Sequence, residues 1–339
     1  MALFLPRCER DSTTDGTPRR SSGFMGHFSS GGLSRARSST MARVHRAPFD
    51  IHNRRHLLGL VVAVAMWVVV IALSNPAIDV SDPFSGQVVT AQDARSYYGL
   101  NLADMYTGRS DWNTIGAYPY SPAFAQLVYP LDLLPWPVFV AAWTAILIAA
   151  AYWLTGPDLF LLGLAVGAME IAGGNITLLL AVAIVAGFRR PWTWAFVILT
   201  KITPGVALIW FVLRREWRSL FVALGATALV LAVSYLVLPG QWRAWVELLV
   251  ANQGKGGTWA AIPIPLLIRL PIGVLLIIWG APRNQRWTVP VGAMLALPAL
   301  WYGSLSMLLA VIPLTTPDER RRAWARVRAF VTRSPAVAG

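Results

Sequence analysis

The sequence predicts an all-α polytopic membrane protein, a bundle of roughly 8–11 membrane segments with broken helices, and three observations predict it. Of 339 residues, 56% are hydrophobic and only 13% charged, far from the balance of a soluble domain. Apolar runs of about 20 residues recur, as at 57–73 and 219–238, and that length crosses a bilayer. Arginines collect at the ends of those runs, as they do beside cytoplasmic loops. A β-barrel would instead show alternating segments of about ten residues, and none is present.

In chain order, residues 1–47 are rich in Ser, Arg and Gly without apolar periodicity, and read as a disordered basic cytoplasmic tail. Met25 and Met41 are alternative starts, and the acid-poor composition also fits a transit-like leader. The membrane domain spans 48–315. Arg43, Arg46, Arg54 and Arg55 precede its first span, 57–74, which puts the N-terminus in the cytoplasm and the next loop, 75–119, outside. Further spans are expected at 121–134, 137–155, 159–187, 192–213, 219–238, 261–280 and 287–314. Several are interrupted: by Glu170 with Gly173, Gly174 and Asn175; by Lys201 with Thr203, Pro204 and Gly205; and by Pro298 before Trp301. Arg189–Arg190 and Arg214–Arg215 both belong in the cytoplasm although one apolar stretch separates them. A hairpin of two half-helices bending near Lys201 to Pro204 reconciles the two, and broken helices at membrane depth belong where they are buried or line a cavity. A second outer loop, 240–258, opens on an amphipathic stretch expected as a short interfacial helix. Residues 316–339, with Arg320, Arg321, Arg322, Arg326, Arg328 and Arg333, form a basic cytoplasmic tail.

Composition also excludes chemistry. The one cysteine, Cys8, leaves no intrachain disulfide. All four histidines (His27, His45, His52, His56) precede or abut the first span, so nothing later supplies a His base or a His-ligated metal. No Gly-rich phosphate loop, paired-carboxylate metal motif or Cys/His spacing appears; neither metal nor cofactor is expected. The net charge of +13 comes from 27 Arg and two Lys placed beside membrane segments, which argues against a nucleic-acid partner.

Against that charge, loop 75–119 is acidic, with Asp79, Asp82, Asp93, Asp104 and Asp111 facing only Arg95 and Arg109. Asp93 is the candidate base. A carboxylate flanked by aromatics at a membrane face suits sugar transfer from a lipid carrier, which needs a group to take the proton of the attacking hydroxyl. Most outer-loop aspartates are simply solvated; what sets Asp93 apart is Tyr97 and Tyr98 at i+4 and i+5, expected as a sugar-stacking wall, with Tyr120 behind. Lys201 is the one charge in 192–213, where a charge costs at least about 2.5 kcal/mol on insertion scales. It either pairs with Glu170 or meets a lipid-linked phosphate as a point charge. Arg269 is alone in 262–278 and either snorkels to the interface or binds phosphate bidentately. Asn252, Gln253 and Lys255 add polar groups on the second outer loop.

The order of these pieces resembles glycosyltransferase family 87, the polyprenol-phosphate-mannose-dependent enzymes of the C-type superfamily. The pieces are Asp93 to Tyr98; Tyr120-Ser121-Pro122; Gly174-Asn175; Lys201-Ile202-Thr203-Pro204; Asn252-Gln253; Arg269; and 297–314. Gly254 stands where a serine is common, and Trp301-Tyr302 where a Trp-His pair is often found. The resemblance covers about 55–315. It implies a C-type glycosyltransferase-like bundle in the cell membrane, of which the arginines place both termini in the cytoplasm. It further implies an inverting hexosyltransferase that moves mannose or a similar sugar from a polyprenyl-phosphate donor to a lipid or glycan acceptor. In that role Asp93 is the catalytic base. Lys201 and Arg269 would bind the donor phosphate, and Tyr97, Tyr98, Tyr120, Asn252 and Gln253 the substrate. The alternatives are a non-catalytic lipid-phosphate carrier or flippase, and an envelope-assembly partner.

Overall fold

The computed structural model describes residues 91–111, 116–252 and 264–315. The expected first span at 57–74, both tails and Gln253 lie outside the described residues. Those described are helical and contain no strand. In order they form α1 (Gln92–Tyr97), α2 (Pro122–Asp132), α3 (Trp136–Thr155), α4 (Phe160–Gly173), α5 (Thr177–Gly187), α6 (Trp194–Thr200) and α7 (Ile209–Leu213). Then come α8 (Trp217–Val237), α9 (Pro239–Ala251), α10 (Leu266–Gly280), α11 (Thr288–Leu295) and α12 (Val311–Leu314). Short 3-10 turns at Pro157–Leu159, Pro191–Thr193, Thr203–Leu208 and Tyr302–Ala310 complete the chain.

Among the described residues two helices, α3 and α8, are long and apolar enough to cross a membrane. They sit differently. Along one side α3 buries Phe139, Trp143, Leu147, Ala151 and Leu154, whereas α8 leaves Phe221, Leu229, Val233 and Leu236 exposed, the last by 80%. An apolar helix with its outer face uncovered is at home in lipid rather than water. The interruptions expected within 159–187 and 287–314 are present as breaks between helices. The first turns a corner at Gly174, and the second pauses at 296–301 around Pro298. The run 192–213 breaks beside Lys201, where the half-helix hairpin was expected. Pro204 has no N–H to give the carbonyl of Thr200, and its ring would collide with that carbonyl. Accordingly α6 ends at Thr200 and Lys201 is extended, at φ −138° and ψ 108°.

The expected interfacial helix is α9. Trp242 and Trp245 face inward from it, with the Trp245 indole N–H donating to Pro119 O at 3.2 Å. Gln241 accepts from Met105 N at 3.1 Å and donates to Ala103 O. The two segments read as outer loops are therefore stitched to each other.

Candidate active site

The site is built around the corner between α4 and α5. Gly174 ends α4 in the left-handed region, at φ +73°. There a glycine is needed twice over. The conformation is unfavourable for a β-carbon, and a β-carbon placed there would lie 2.7 Å from Ala94 Cβ on α1. So close an approach lets α1 rest directly on the corner. Two hydrogen bonds fix it. Ala91 N donates to Ala172 O at 2.7 Å, and the Trp143 indole N–H donates to Gly174 O at 2.7 Å. Ala91 itself is held at φ 55°, an uncommon conformation for a residue with a side chain.

The next residue, Asn175, is the orienting group. Its side-chain oxygen accepts from Ile176 N at 2.6 Å, which fixes the amide so that its NH2 donates to Asp93 Oδ2 at 3.0 Å. Asp93, in the first turn of α1, is half-buried. Burial pushes its carboxyl up from the ordinary aspartate range, against the pull of the Lys201 charge and the Asn175 hydrogen bond. A carboxylate made more basic and aimed by an amide can accept a proton from a hydroxyl. Trp301 closes this side. Its ring edge and Asp93 Oδ2 each lie 3.4 Å from the same point beside Gly173.

Behind Asp93 lies Glu170, fully buried on α4. Its Oε1 accepts the first N–H of α5, from Thr177, at 2.6 Å, where the positive end of the helix favours an anion. Lys201 is in electrostatic reach of both Glu170 and Asp93. It closes an ion pair with neither, since the one ion pair among the described residues joins Arg214 to Glu216 at 2.8 Å. The direct Lys201–Glu170 pair considered from the sequence is thus not formed. The backbone before Lys201 is anchored from α2, because Ser121 Oγ donates to Leu199 O.

The tyrosines are placed differently from the expectation. Tyr97 has no exposed surface. Its ring is packed at 5.2–5.3 Å against Tyr120, Phe124 and Trp143, and its hydroxyl shares a hydrogen bond with that of Tyr120 at 3.2 Å. Tyr98 packs on Trp136 and Phe139 and donates to Leu134 O at 3.0 Å. No open stacking wall results, because α1 turns these rings onto α2 and α3. They hold Asp93 in place instead. Burial raises the Tyr97 and Tyr120 phenols well above their ordinary value, so both stay neutral.

Arg269 also departs from its expected role. Its guanidinium donates to Ile264 O at 2.7 Å, Leu295 O at 2.8 Å, Leu297 O at 2.9 Å and Pro298 O at 3.2 Å. The carbonyls of Leu295, Leu297 and Pro298 become available because α11 ends at Leu295 and Pro298 keeps the helix from resuming. Arg269 ties α10 to the segment leading to Trp301. Asn252 caps α9 by donating to Leu248 O at 2.9 Å and reaches Ser110 O at 3.4 Å.

The sequence profile of glycosyltransferase family 87 matches residues 118–335. The match takes in Glu170, Asn175, Lys201 and Arg269 and begins downstream of Asp93. No curated protein and no solved structure matches the chain.

Proposed function

The chain belongs to glycosyltransferase family 87, a membrane glycosyltransferase, and from that premise we propose that it moves mannose or a similar hexose from a polyprenyl-phosphate donor to a lipid or glycan acceptor on the outer membrane face. The observation that carries this reading is a single constellation. A half-buried aspartate is oriented by an asparagine amide, with a lysine in electrostatic reach that no carboxylate has neutralised by contact.

In this reading Asp93 Oδ takes the proton of the acceptor hydroxyl as its oxygen attacks the anomeric carbon. The bond from that carbon to the phosphate oxygen breaks on the opposite face, so the configuration inverts. Lys201 stabilises the charge that grows on the departing polyprenyl phosphate, which is where a fixed cation lowers the barrier. Arg269 supports the backbone beside the site rather than the phosphate. An apolar groove of about 530 Å³ supports a lipid donor. It runs between α2, α5, α6 and α8, lined by Phe124, Leu179, Phe196 and Val230 among others, and reaches Thr200, next to Lys201. An isoprenoid chain has the chemistry to fill it.

The test is transfer from radiolabelled polyprenyl-phosphate-mannose by the purified protein, with envelope lipids as acceptors. Asp93→Asn keeps the Asn175 contact geometry but cannot accept a proton. It is expected to cost roughly 10²-fold or more in rate with donor binding retained, while Asp104→Asn changes little. Near-normal turnover by Asp93→Asn would move the base elsewhere, and an inert wild-type protein that carries the lipid across vesicles would favour the flippase.

A further inference from the structure

Helix α5 starts next to Asn175, at the candidate site, and ends at Gly187, where a second cluster of charge begins. Three connections meet there: 188–193 between α5 and α6, 214–216 between α7 and α8, and 281–287 between α10 and α11. Side chains join them. The Arg286 guanidinium lies 5.4 Å from the Phe188 ring, Phe188 packs edge-on against Trp210 at 5.8 Å, and Arg214 Nη1 donates to Ala281 O at 2.9 Å. These connections and the first residues of α8 hold seven arginines and one acid, Glu216, whose carboxylate is taken by Arg214 at 2.8 Å. Arg189, Arg190, Arg215, Arg218, Arg283 and Arg286 are exposed, and no described carboxylate pairs with any of them. Arg283 rests on the Trp279 ring at 5.0 Å as Arg286 does on Phe188, contacts that orient a guanidinium without neutralising it.

Charge alone would mark this end only as a retained loop face. Three tryptophans add a height. Trp192, Trp217 and Trp279 flank the same connections and are 54%, 47% and 46% exposed, and indole rings left open at the ends of apolar helices sit at headgroup level. Arginines one to four residues away in sequence are then level with lipid phosphates, which a guanidinium grips through paired N–H donors. We propose that this cluster binds the headgroup of an anionic phospholipid from the surrounding leaflet, with Arg189, Arg190, Arg215 and Arg283 holding the phosphate. A zwitterionic lipid brings its own cation to each phosphate and leaves the excess charge of the cluster unmatched, so the preference is for a headgroup of net negative charge. The other end of α8 lies about 30 Å away over its 21 residues. There acids outnumber arginines, Asp104, Asp111, Asp132 and Glu247 standing against Arg109 and Arg243, and no such preference arises.

The test uses the purified full chain in a neutral detergent. It is titrated with phosphatidylglycerol and with phosphatidylcholine of the same acyl chains, and bound lipid is counted by native mass spectrometry. Phosphatidylglycerol is expected to bind about tenfold or more tighter, because each surface arginine adds to the attraction for anionic lipid. Added salt should erode the difference, since exposed charges are screened. Arg189→Gln, Arg190→Gln, Arg215→Gln and Arg283→Gln combined should remove most of the preference, and Arg243→Gln at the other end should leave it intact. Equal binding of both lipids by the wild type, or an undiminished preference in the combined variant, would overturn the proposal. Glycerol 3-phosphate, which carries the phosphate without the acyl chains, is expected not to be retained. Binding as tight as the lipid's would make this a site for a soluble phosphate and overturn the proposal. Should the combined variant fail to fold, the wild type is irradiated with a phosphatidylglycerol carrying a diazirine near its glycerol. Labelled peptides are expected to contain Trp192, Trp217 or Trp279, and labelling confined to α9 and the segment it contacts would overturn the assignment.

Discussion

At the scale of single residues, the site depends on one position without a side chain. Gly174 combines a left-handed backbone with a close approach to Ala94. Gly174→Ala must therefore take on backbone strain of roughly 1–2 kcal/mol and overpacking of about 1–3 kcal/mol. The expected outcome is a marked fall in thermal stability in detergent, together with lost transfer, because α1 and Asp93 would be pushed off the corner. A variant with wild-type melting and rate would show that the corner can relax without moving Asp93. The adjacent Asn175 and the buried Glu170 carry as much of the geometry as Asp93 does. Their signal was present in the sequence, as a charge and a Gly-Gly-Asn break inside an apolar run. What the sequence does not supply is the fold of α1 onto that break, which turns an asparagine in one segment toward an aspartate about 80 residues earlier.

Helices end where the site needs them to end, and the causes are local. Pro204 stops α6, Gly174 stops α4, and Pro298 separates α11 from the final turns. All three breaks were legible as Pro or Gly in apolar runs, because a missing N–H or a left-handed residue acts within one turn. The tyrosines were not legible in the same way. Whether Tyr97 faces a sugar or the core depends on which side of a six-residue helix meets α2 and α3, and periodicity over so short a helix carries almost no information. Likewise Arg269 reads as a phosphate ligand until the neighbouring carbonyls of Leu295, Leu297 and Pro298 are seen to take its donors. The α6 terminus offers a test at this scale. Ser121 Oγ donates to the Leu199 carbonyl, so Ser121→Ala leaves that buried end short of one donor, at a cost of about 1–3 kcal/mol. Lower thermal stability and a raised KM for the polyprenyl-phosphate donor are expected together, since Leu199 lies two residues before Lys201. A stability loss with an unchanged donor KM would separate the α6 end from the phosphate site.

For the molecule as a whole, the mechanism requires that the aspartate-bearing segment and α9 lie on the same, outer, side of the membrane. Their mutual contacts, Gln241 with Ala103 and Met105 and Trp245 with Pro119, put both segments together. Which side that is rests on the arginines: those before the first expected span and those in 316–339 argue for cytoplasmic termini, since positive loops are retained inside. The prediction is tested with single cysteines after Cys8 has been replaced by serine. Thr107→Cys sits at an exposed position of the aspartate-bearing segment, and Ala329→Cys lies in the basic tail. In intact cells an impermeant maleimide should label Thr107→Cys and spare Ala329→Cys, and permeabilising the cells should expose both. Arg243→Cys, exposed on α9, should follow Thr107→Cys, because the two segments are hydrogen-bonded to each other. The reverse pattern would place Asp93 and Lys201 at the cytoplasmic face. A donor presented outside would then be unable to reach them, and transfer on the outer face could not be the reaction of this protein.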